Sequence, residues 1–241
     1  FQWAAEQVLL IENLDYDDDV GGYTQQSEYE PVGIVAGFSP WNFPIMLTAR
    51  KIAAAIAAGC CIIIKPAEEA PASALAIAKA LESSGLPAGV LNMVFGDPEK
   101  ISNTLISQKS VRKVSLTGSS VVGKKLAKIA SITLTPCILE LGGHAPVLVF
   151  DDVDVDSIAK NLAIFKYRNA GQVCISPSRF FIHKNIFKSF SDKFVEYAAA
   201  LSVGNGSDKD TDIGPLAHER RLEAVDKLVN DALHKGATCL L

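Results

Sequence analysis

One cysteine stands apart from the other four by its neighbours. Cys174 closes the stretch NAGQVC (169–174), where Gly171, Gln172 and, just beyond, Ser176 are small or polar. A cysteine attacks as its thiolate, so it needs an activating environment and a partner that handles protons. None of the four histidines lies in a Cys/His protease pattern. A carboxylate and an amide offer a different arrangement: Glu140 ends the run PCILEL, and Asn42 lies in PWNFP. A thiol, a carboxylate base and an amide donor together suit covalent attack on a carbonyl and then hydrolysis of a thioester. Glu140 sits among Ile138, Leu139 and Leu141, and a carboxylate in apolar surroundings is costly unless paired or functional. Two readings follow. It faces water at a strand end, or burial beside a cleft lifts its pKa toward that of a general base.

A second group of residues has the chemistry of a nucleotide site. Lys65 ends the apolar run CCIIIK, either as a lysine reaching out to water or as a donor to cofactor hydroxyls and phosphate. Glu68 follows it and could accept from a ribose diol while repelling a 2′-phosphate, which favours NAD over NADP. GSSVVG (118–123) reads as a turn opening a helix, whose backbone N–H groups suit a pyrophosphate near Gly118 and Ser119. The G-x-G-x-x-G fingerprint of many dinucleotide sites is missing.

These residues need a scaffold that gathers them. From Pro31 to Phe150 apolar runs alternate with amphipathic helix patterns. PVGIVAGF, CCIIIK, VLNMVFG, KVSLTG and ILEL read as strands, and IMLTARKIAAAIAAG, PASALAIAKALESSG, ISNTLIS and SSVVGKKLAKIA as helices. Gly59 and Gly85 mark helix ends, and Pro71 suits a first helical position. The alternation predicts an α/β fold with a doubly wound, mostly parallel sheet, in which ligands bind beyond the carboxyl ends of the strands. Asn42, Lys65, Glu68, Gly118, Ser119 and Glu140 all fall at such ends.

After Gly143 the pattern changes, and a domain boundary is expected near residues 141–144. The organisation read from the sequence is a cofactor-binding domain over 1–141 and a second, incomplete α/β catalytic domain over 142–241. APVLVF and RFFIH read as strands. DDVDVDSIAKNLAIFKYR reads as a helix with acids in its first turn, as the helix dipole favours. NIFKSFSDKFVEYAAAL and HERRLEAVDKLVNDALHKG read as helices, SVGNGSDKDTDIGPL as a polar loop, and the closing ATCLL as a strand in need of partners. That unpartnered strand, and a start at Phe1 rather than Met, lead to the expectation that the sequence is part of a longer one.

Bulk properties narrow the classes. The chain has 241 residues, 49% hydrophobic and 21% charged, with a formal net charge of -4. That balance gives no argument for nucleic acid or an anionic membrane as a partner. The longest apolar stretch, around residues 52–64, is broken by Gly59 and is too short to span a bilayer. The first residues lack a basic signal-peptide region and carry Glu6 and Glu12, so the expected compartment is the cytoplasm. Five scattered cysteines without Cys-x-x-Cys spacing argue against a disulfide framework or a zinc site, and no metal is expected. Cys60, Cys61 and Cys137 read as buried small hydrophobes.

Five segments together give the chain a resemblance to the aldehyde dehydrogenase superfamily. They are PWNFP (40–44), KPAEE (65–69), TGSSVVG (117–123), LELGGHAP (139–146) and NAGQVC, in that order along the chain. The resemblance implies a Rossmann-like cofactor domain and oxidation of a small-molecule aldehyde with NAD, NADP being the lesser partner. It implies that Cys174 attacks the aldehyde to form a thiohemiacetal, that Asn42 and the Cys174 N–H hold the oxyanion, and that Glu140 activates the water that releases the acid. It gives cofactor contacts to Trp41, Lys65, Glu68, Gly118, Ser119 and Gly142. Arg50 and Arg168 resemble the carboxylate-holding positions of succinate-semialdehyde dehydrogenases, which points to a short semialdehyde acid. It also implies a homodimer or homotetramer. The EIFGP-type motif, which carries a second ribose carboxylate in the family, is missing. Two rivals remain from the residues alone: a thioester hydrolase or acyl-transferase built on Cys174 and Glu140, and a dinucleotide-binding protein without catalysis.

Overall fold

Alternating strands and helices assemble into a five-stranded parallel sheet. The computed structural model describes residues 1–12, 14–17 and 24–241. The chain divides into two compact units, Phe1–Leu141 and Gly142–Leu241. The first opens with α1 (Gln2–Val8) and an antiparallel pair, β1 (Leu14–Asp17) with β2 (Thr24–Ser27). Then come β3 (Ile34–Phe38), α2 (Pro44–Ala57), β4 (Cys61–Lys65), α3 (Pro71–Ser83), β5 (Leu91–Met93), α4 (Pro98–Ile106), β6 (Val111–Thr117), α5 (Ser120–Thr133) and β7 (Cys137–Glu140). Strand order is β5-β4-β3-β6-β7, every neighbour parallel. The chain therefore winds outward from β3 on one side, then returns to build the other side from β6. The carboxyl ends of β3 and β6 flank the switch point.

Both faces of the sheet are covered, which is why its strands read as apolar runs rather than alternations. Ala36, Phe38, Val114 and Leu116 pack with Ile106 of α4 and Leu126 and Ala130 of α5. On the opposite face Val35, Ile62 and Ile64 pack with Ala55 of α2 and Cys60. Gly37 lies on that second face, where an added Cβ would stand 2.5 Å from Ile64 Cδ1. A side chain there would force the buried Ile64 side chain to move. Helix punctuation is local. Pro44, Pro71 and Pro98 each occupy a first helical turn, and Gly59 and Gly85 follow helices in the left-handed region at φ +69° and +88°.

The second unit packs helices on one face of a two-stranded parallel sheet, β8 (Pro146–Val149) with β9 (Arg179–Ile182). The packed helices are α6 (Val155–Tyr167) and α7 (Phe187–Ala199), with a short 3-10 segment at Arg168–Gly171; a third helix, α8 (Glu219–His234), buries no residue. Asp154 caps α6, its carboxylate accepting from the Asp156 and Ser157 N–H groups at 3.1 and 3.4 Å. The core joins Val149, Ala159 and Phe190 to Phe180 and Phe194, and the Phe180 and Phe194 rings meet edge-on at 5.4 Å.

Two sequence expectations need correcting. Residues 237–241 (ATCLL) are not a strand; they are exposed and pair with no other strand among the described residues. The cysteines of the apolar runs are not uniformly buried: Cys60 is, Cys137 is half-buried, and Cys61 is exposed as the first residue of β4. No helix among the described residues is long and apolar enough to cross a membrane.

Candidate active site

The first unit brings most of the nucleotide-site candidates to one place. A cleft of about 690 Å³ opens at the carboxyl ends of β3, β4 and β6. Trp41, Lys65, Glu68, Gly118 and Ser119 line it, over a floor that includes Phe38 and Leu116. Lys65 is only 7% exposed, because β4 runs between two covered faces up to its last residue. An ammonium that buried needs a partner, and Glu68, one helical-turn spacing further on, supplies the carboxylate. The Lys65–Glu68 ion pair thus sits at the cleft wall, with Glu68 itself exposed.

Gly118 and Ser119 make the turn from β6 into α5. The Ser119 hydroxyl accepts from the Val122 N–H at 3.3 Å and so caps α5. Backbone donors of a helix N-terminus therefore face the cleft, where the dipole favours a phosphate. A buried lysine, a carboxylate beside it and a helix N-terminus along one cleft are chemistry that fits a dinucleotide. Lys65 and Glu68 would hold its ribose, and the α5 N-terminus its pyrophosphate. The same cleft is also lined by Asp97, Ser102 and Asn103 from α4 and its cap, and by Lys125 and Lys128 from α5. The sequence reading did not single out these five, because its search was confined to strand ends.

Asn42 lies in the connection between β3 and α2, half-buried beside Trp41. Its Oδ1 accepts from the Phe43 N–H at 3.1 Å, so the NH₂ end of the amide points the other way. An amide N–H is the kind of donor an oxyanion site uses. Arg50 is exposed on α2. Glu140 ends β7, an edge strand, and is exposed. Of its two sequence readings, that exposure fits the water-facing one.

Next to Arg50 lies a residue with stronger electrostatics. Lys51 is half-buried, and its Nζ donates to the Ser115 hydroxyl of β6 at 3.0 Å. Burial pushes its pKa down to about 8, partly opposed by the Glu140 carboxylate. Sequence reasoning missed it. The signal was there: the apolar stripe of α2 runs through Thr48, Ile52 and Ala55, and Lys51 sits on the turn beside it.

In the second unit, Cys174 is exposed in a turn three residues beyond the 3-10 segment. The small and polar lead-in to it is braced rather than loose. Asn169, Ala170 and Gly171 are all left-handed, at φ +52°, +55° and +72°. The Gln172 side chain donates to the Asn169 carbonyl at 3.1 Å and accepts from the Ala217 N–H at 3.0 Å. The buried Ser176 donates to the Lys166 carbonyl at 3.0 Å, tying the far side of the turn back to α6. Gly143 passes the turn closely, its would-be Cβ 3.6 Å from the Cys174 carbonyl oxygen. Gly142 lies one residue before it, with open space around it. Arg168 is exposed at the C-cap of α6.

Comparison with known proteins adds a family. A model described as "Aldehyde dehydrogenase family" matches residues 1–241. The mitochondrial succinate-semialdehyde dehydrogenase of Oryza sativa subsp. japonica is 41% identical over 212 residues, which is 88% of this chain and 40% of that protein. The NADP(+) succinate-semialdehyde dehydrogenase GabD of Escherichia coli is 38% identical over 240 residues, 98% of this chain and 49% of that one. Among solved structures, succinate-semialdehyde dehydrogenase from Burkholderia pseudomallei superposes with a TM-score of 0.96 at 40% identity, covering all of this chain and 50% of its own. The chain thus spans roughly half the length of the relatives it matches.

Proposed function

The chain belongs to the aldehyde dehydrogenase family, and from that premise we propose that the full-length protein oxidises an aldehyde to its acid with a nicotinamide dinucleotide. The cleft that gathers Lys65, Glu68 and the α5 N-terminus at the sheet's switch point is the observation that carries this reading. Bound there, the dinucleotide supplies the hydride acceptor. The remaining steps belong to side chains. The Cys174 sulfur adds to the aldehyde carbon, and the charge that develops on oxygen is met by the Asn42 amide and a backbone N–H. Loss of hydride leaves a thioester on Cys174. Glu140 takes a proton from the water that cleaves it, releasing the acid and the thiol.

The preferred coenzyme is NAD. Glu68 favours a ribose diol and opposes a 2′-phosphate, although relatives such as GabD are named for NADP(+). The substrate is a short aldehyde that carries a carboxylate, such as succinate semialdehyde. Exposed guanidiniums at Arg50 and Arg168 support this, being able to grip a carboxylate through two hydrogen bonds. All three relatives described above are named for that substrate. A panel of aldehydes of graded length and charge, run with NAD⁺ and with NADP⁺ on the full-length protein, tests all three points. Turnover confined to uncharged aldehydes removes the substrate assignment, and the lack of any reduced coenzyme removes the dehydrogenase.

A further inference from the structure

The stripe of α2 that faces the sheet contains one hydroxyl among aliphatic residues. Thr48 is 1% exposed, beside the buried Ile52 and Ala55. Ser39, the first residue after β3, is 7% exposed. Their oxygens lie 2.7 Å apart, a buried hydroxyl–hydroxyl hydrogen bond that joins the base of the β3–α2 connection to the first turns of α2. The chain between them is short: residues 39–43 span the gap, and Trp41 and Asn42 ride on it. A second bond anchors the same point, since the Ser39 N–H donates to the Lys65 carbonyl at 3.2 Å. Ser39 is thus fixed on one side to the strand end that carries the cofactor-site lysine. On the other side it is fixed to the helix that follows Asn42.

We infer that Ser39 and Thr48 form a staple that positions the Asn42 amide relative to Lys65, acting through the connection rather than on substrate. This rests on the reading of Asn42 as an oxyanion donor. The physical ground is a choice available to α2. An aliphatic residue at 48 would fill the stripe without any partner, whereas a buried hydroxyl must be matched. The matched pair fixes direction as well as distance, which apolar packing does not. An amide aimed at developing charge is sensitive to small displacements, a misplacement of about 1 Å costing up to about a hundredfold in rate.

Thr48→Val keeps the shape and removes the bond. In the full-length protein it is expected to lower the single-turnover rate of coenzyme reduction about tenfold, a fraction of the loss expected for removing an oxyanion donor outright. Thr48→Ser is expected to restore the rate to within about twofold, since it returns the hydroxyl. Amide hydrogen exchange over residues 39–47 should rise in Thr48→Val and return in Thr48→Ser. The decisive comparison uses Asn42→Ala as background. There Thr48→Val should change the rate by less than about twofold, because the group it positions is gone. An equal loss in both backgrounds overturns the inference and leaves Thr48 as packing. If Asn42→Ala alone leaves the rate untouched, the oxyanion reading fails, and the staple's role fails with it. The double variant Ser39→Ala/Thr48→Val removes both hydroxyls, so it leaves no buried oxygen unmatched. Its rate should fall as far as that of Thr48→Val, and an unimpaired rate overturns the inference.

Discussion

Replacing Lys51 with methionine should stabilise the protein at neutral pH, and the gain should vanish in alkali. In the folded chain the Lys51 pKa falls from 10.5 to about 8, with burial the main cause. The sign follows from proton binding. Below pH 8 both folded and unfolded chains hold the proton, and the folded state bears the whole cost of keeping the charge out of water. Between about 8 and 10.5 the unfolded chain holds a proton that the folded chain has released, so stability rises with pH there. A shift of that size corresponds to about 3 kcal/mol at about 1.4 kcal/mol per unit. Methionine matches the aliphatic length but loses the donor to the Ser115 hydroxyl, worth about 1 kcal/mol. The net expectation is a Lys51→Met variant about 2 kcal/mol more stable at pH 7, a difference that shrinks to zero or reverses by about pH 10. Urea unfolding of both proteins across that range measures it directly, and other titrating groups cancel in the difference. A gap that stays constant with pH would show that Lys51 is not held in a charge-excluding site. If Glu140 is the base proposed above, removing the nearby amine should lower activity as it raises stability.

Other substitutions probe separate parts of the same picture. Cys174→Ser should abolish aldehyde oxidation while leaving the dissociation constant for NAD⁺, measured by protein fluorescence, within about twofold, since the nucleophile is not a cofactor contact; unchanged turnover would remove the assignment. Glu68→Ser should raise the NADP⁺/NAD⁺ ratio of kcat/KM at least about tenfold by removing the carboxylate that opposes a 2′-phosphate, and an unchanged ratio would discard Glu68 as the discriminator. Gly37→Ala should destabilise the fold by about 2 kcal/mol, because its Cβ would meet Ile64 Cδ1 at 2.5 Å; thermal unfolding at the wild-type temperature would show that β3 and β4 can part without cost.

Much of the first unit was legible because its signals were local or periodic. Pro71 and Gly85 bracket α3, and Gly59 ends α2, because fixed φ and positive φ are properties of single residues. Covered faces gave β3 and β4 their apolar runs. The residues that were missed or misread depend on what lies across space. Cys61 shares the run CIIIK, yet it is the residue where β4 begins and the cover has not started. Residues 237–241 read as a strand from a short apolar run, but a run that short does not show whether it pairs, and here it is exposed and unpaired among the described residues. Glu140 was read with two environments open because its burial depends on whether β7 has a neighbour beyond it, and β7 is an edge. Lys51 and Thr48 have a legible place on the helix, but not a legible partner. Their chemistry comes from Ser115 and Ser39, which are 64 and 9 positions away in the chain.

The approach to Cys174 shows why a flexible-looking sequence can encode a rigid site. Asn, Ala and Gly are small, and smallness reads as freedom. Here it serves a left-handed turn that bulkier or branched residues would resist. Asn and Gly enter that region readily, but Ala170 does so at a cost of about 1 kcal/mol. Such a conformation persists only when its surroundings hold it, and the holders are identifiable: Gln172 to the Asn169 carbonyl and to the Ala217 N–H, and Ser176 to the Lys166 carbonyl. The turn reverses the chain immediately after α6 and leaves the thiol exposed at its end rather than on the helix or in the core. A right-handed continuation of α6 would instead have carried the cysteine further along the helix axis, with its Cβ tilted back toward the preceding turn. The strain at Ala170 is thus the local cost of presenting the proposed nucleophile on a fixed backbone. The polar residues around it, which first drew attention as candidates for chemistry, serve mainly to hold that backbone in place.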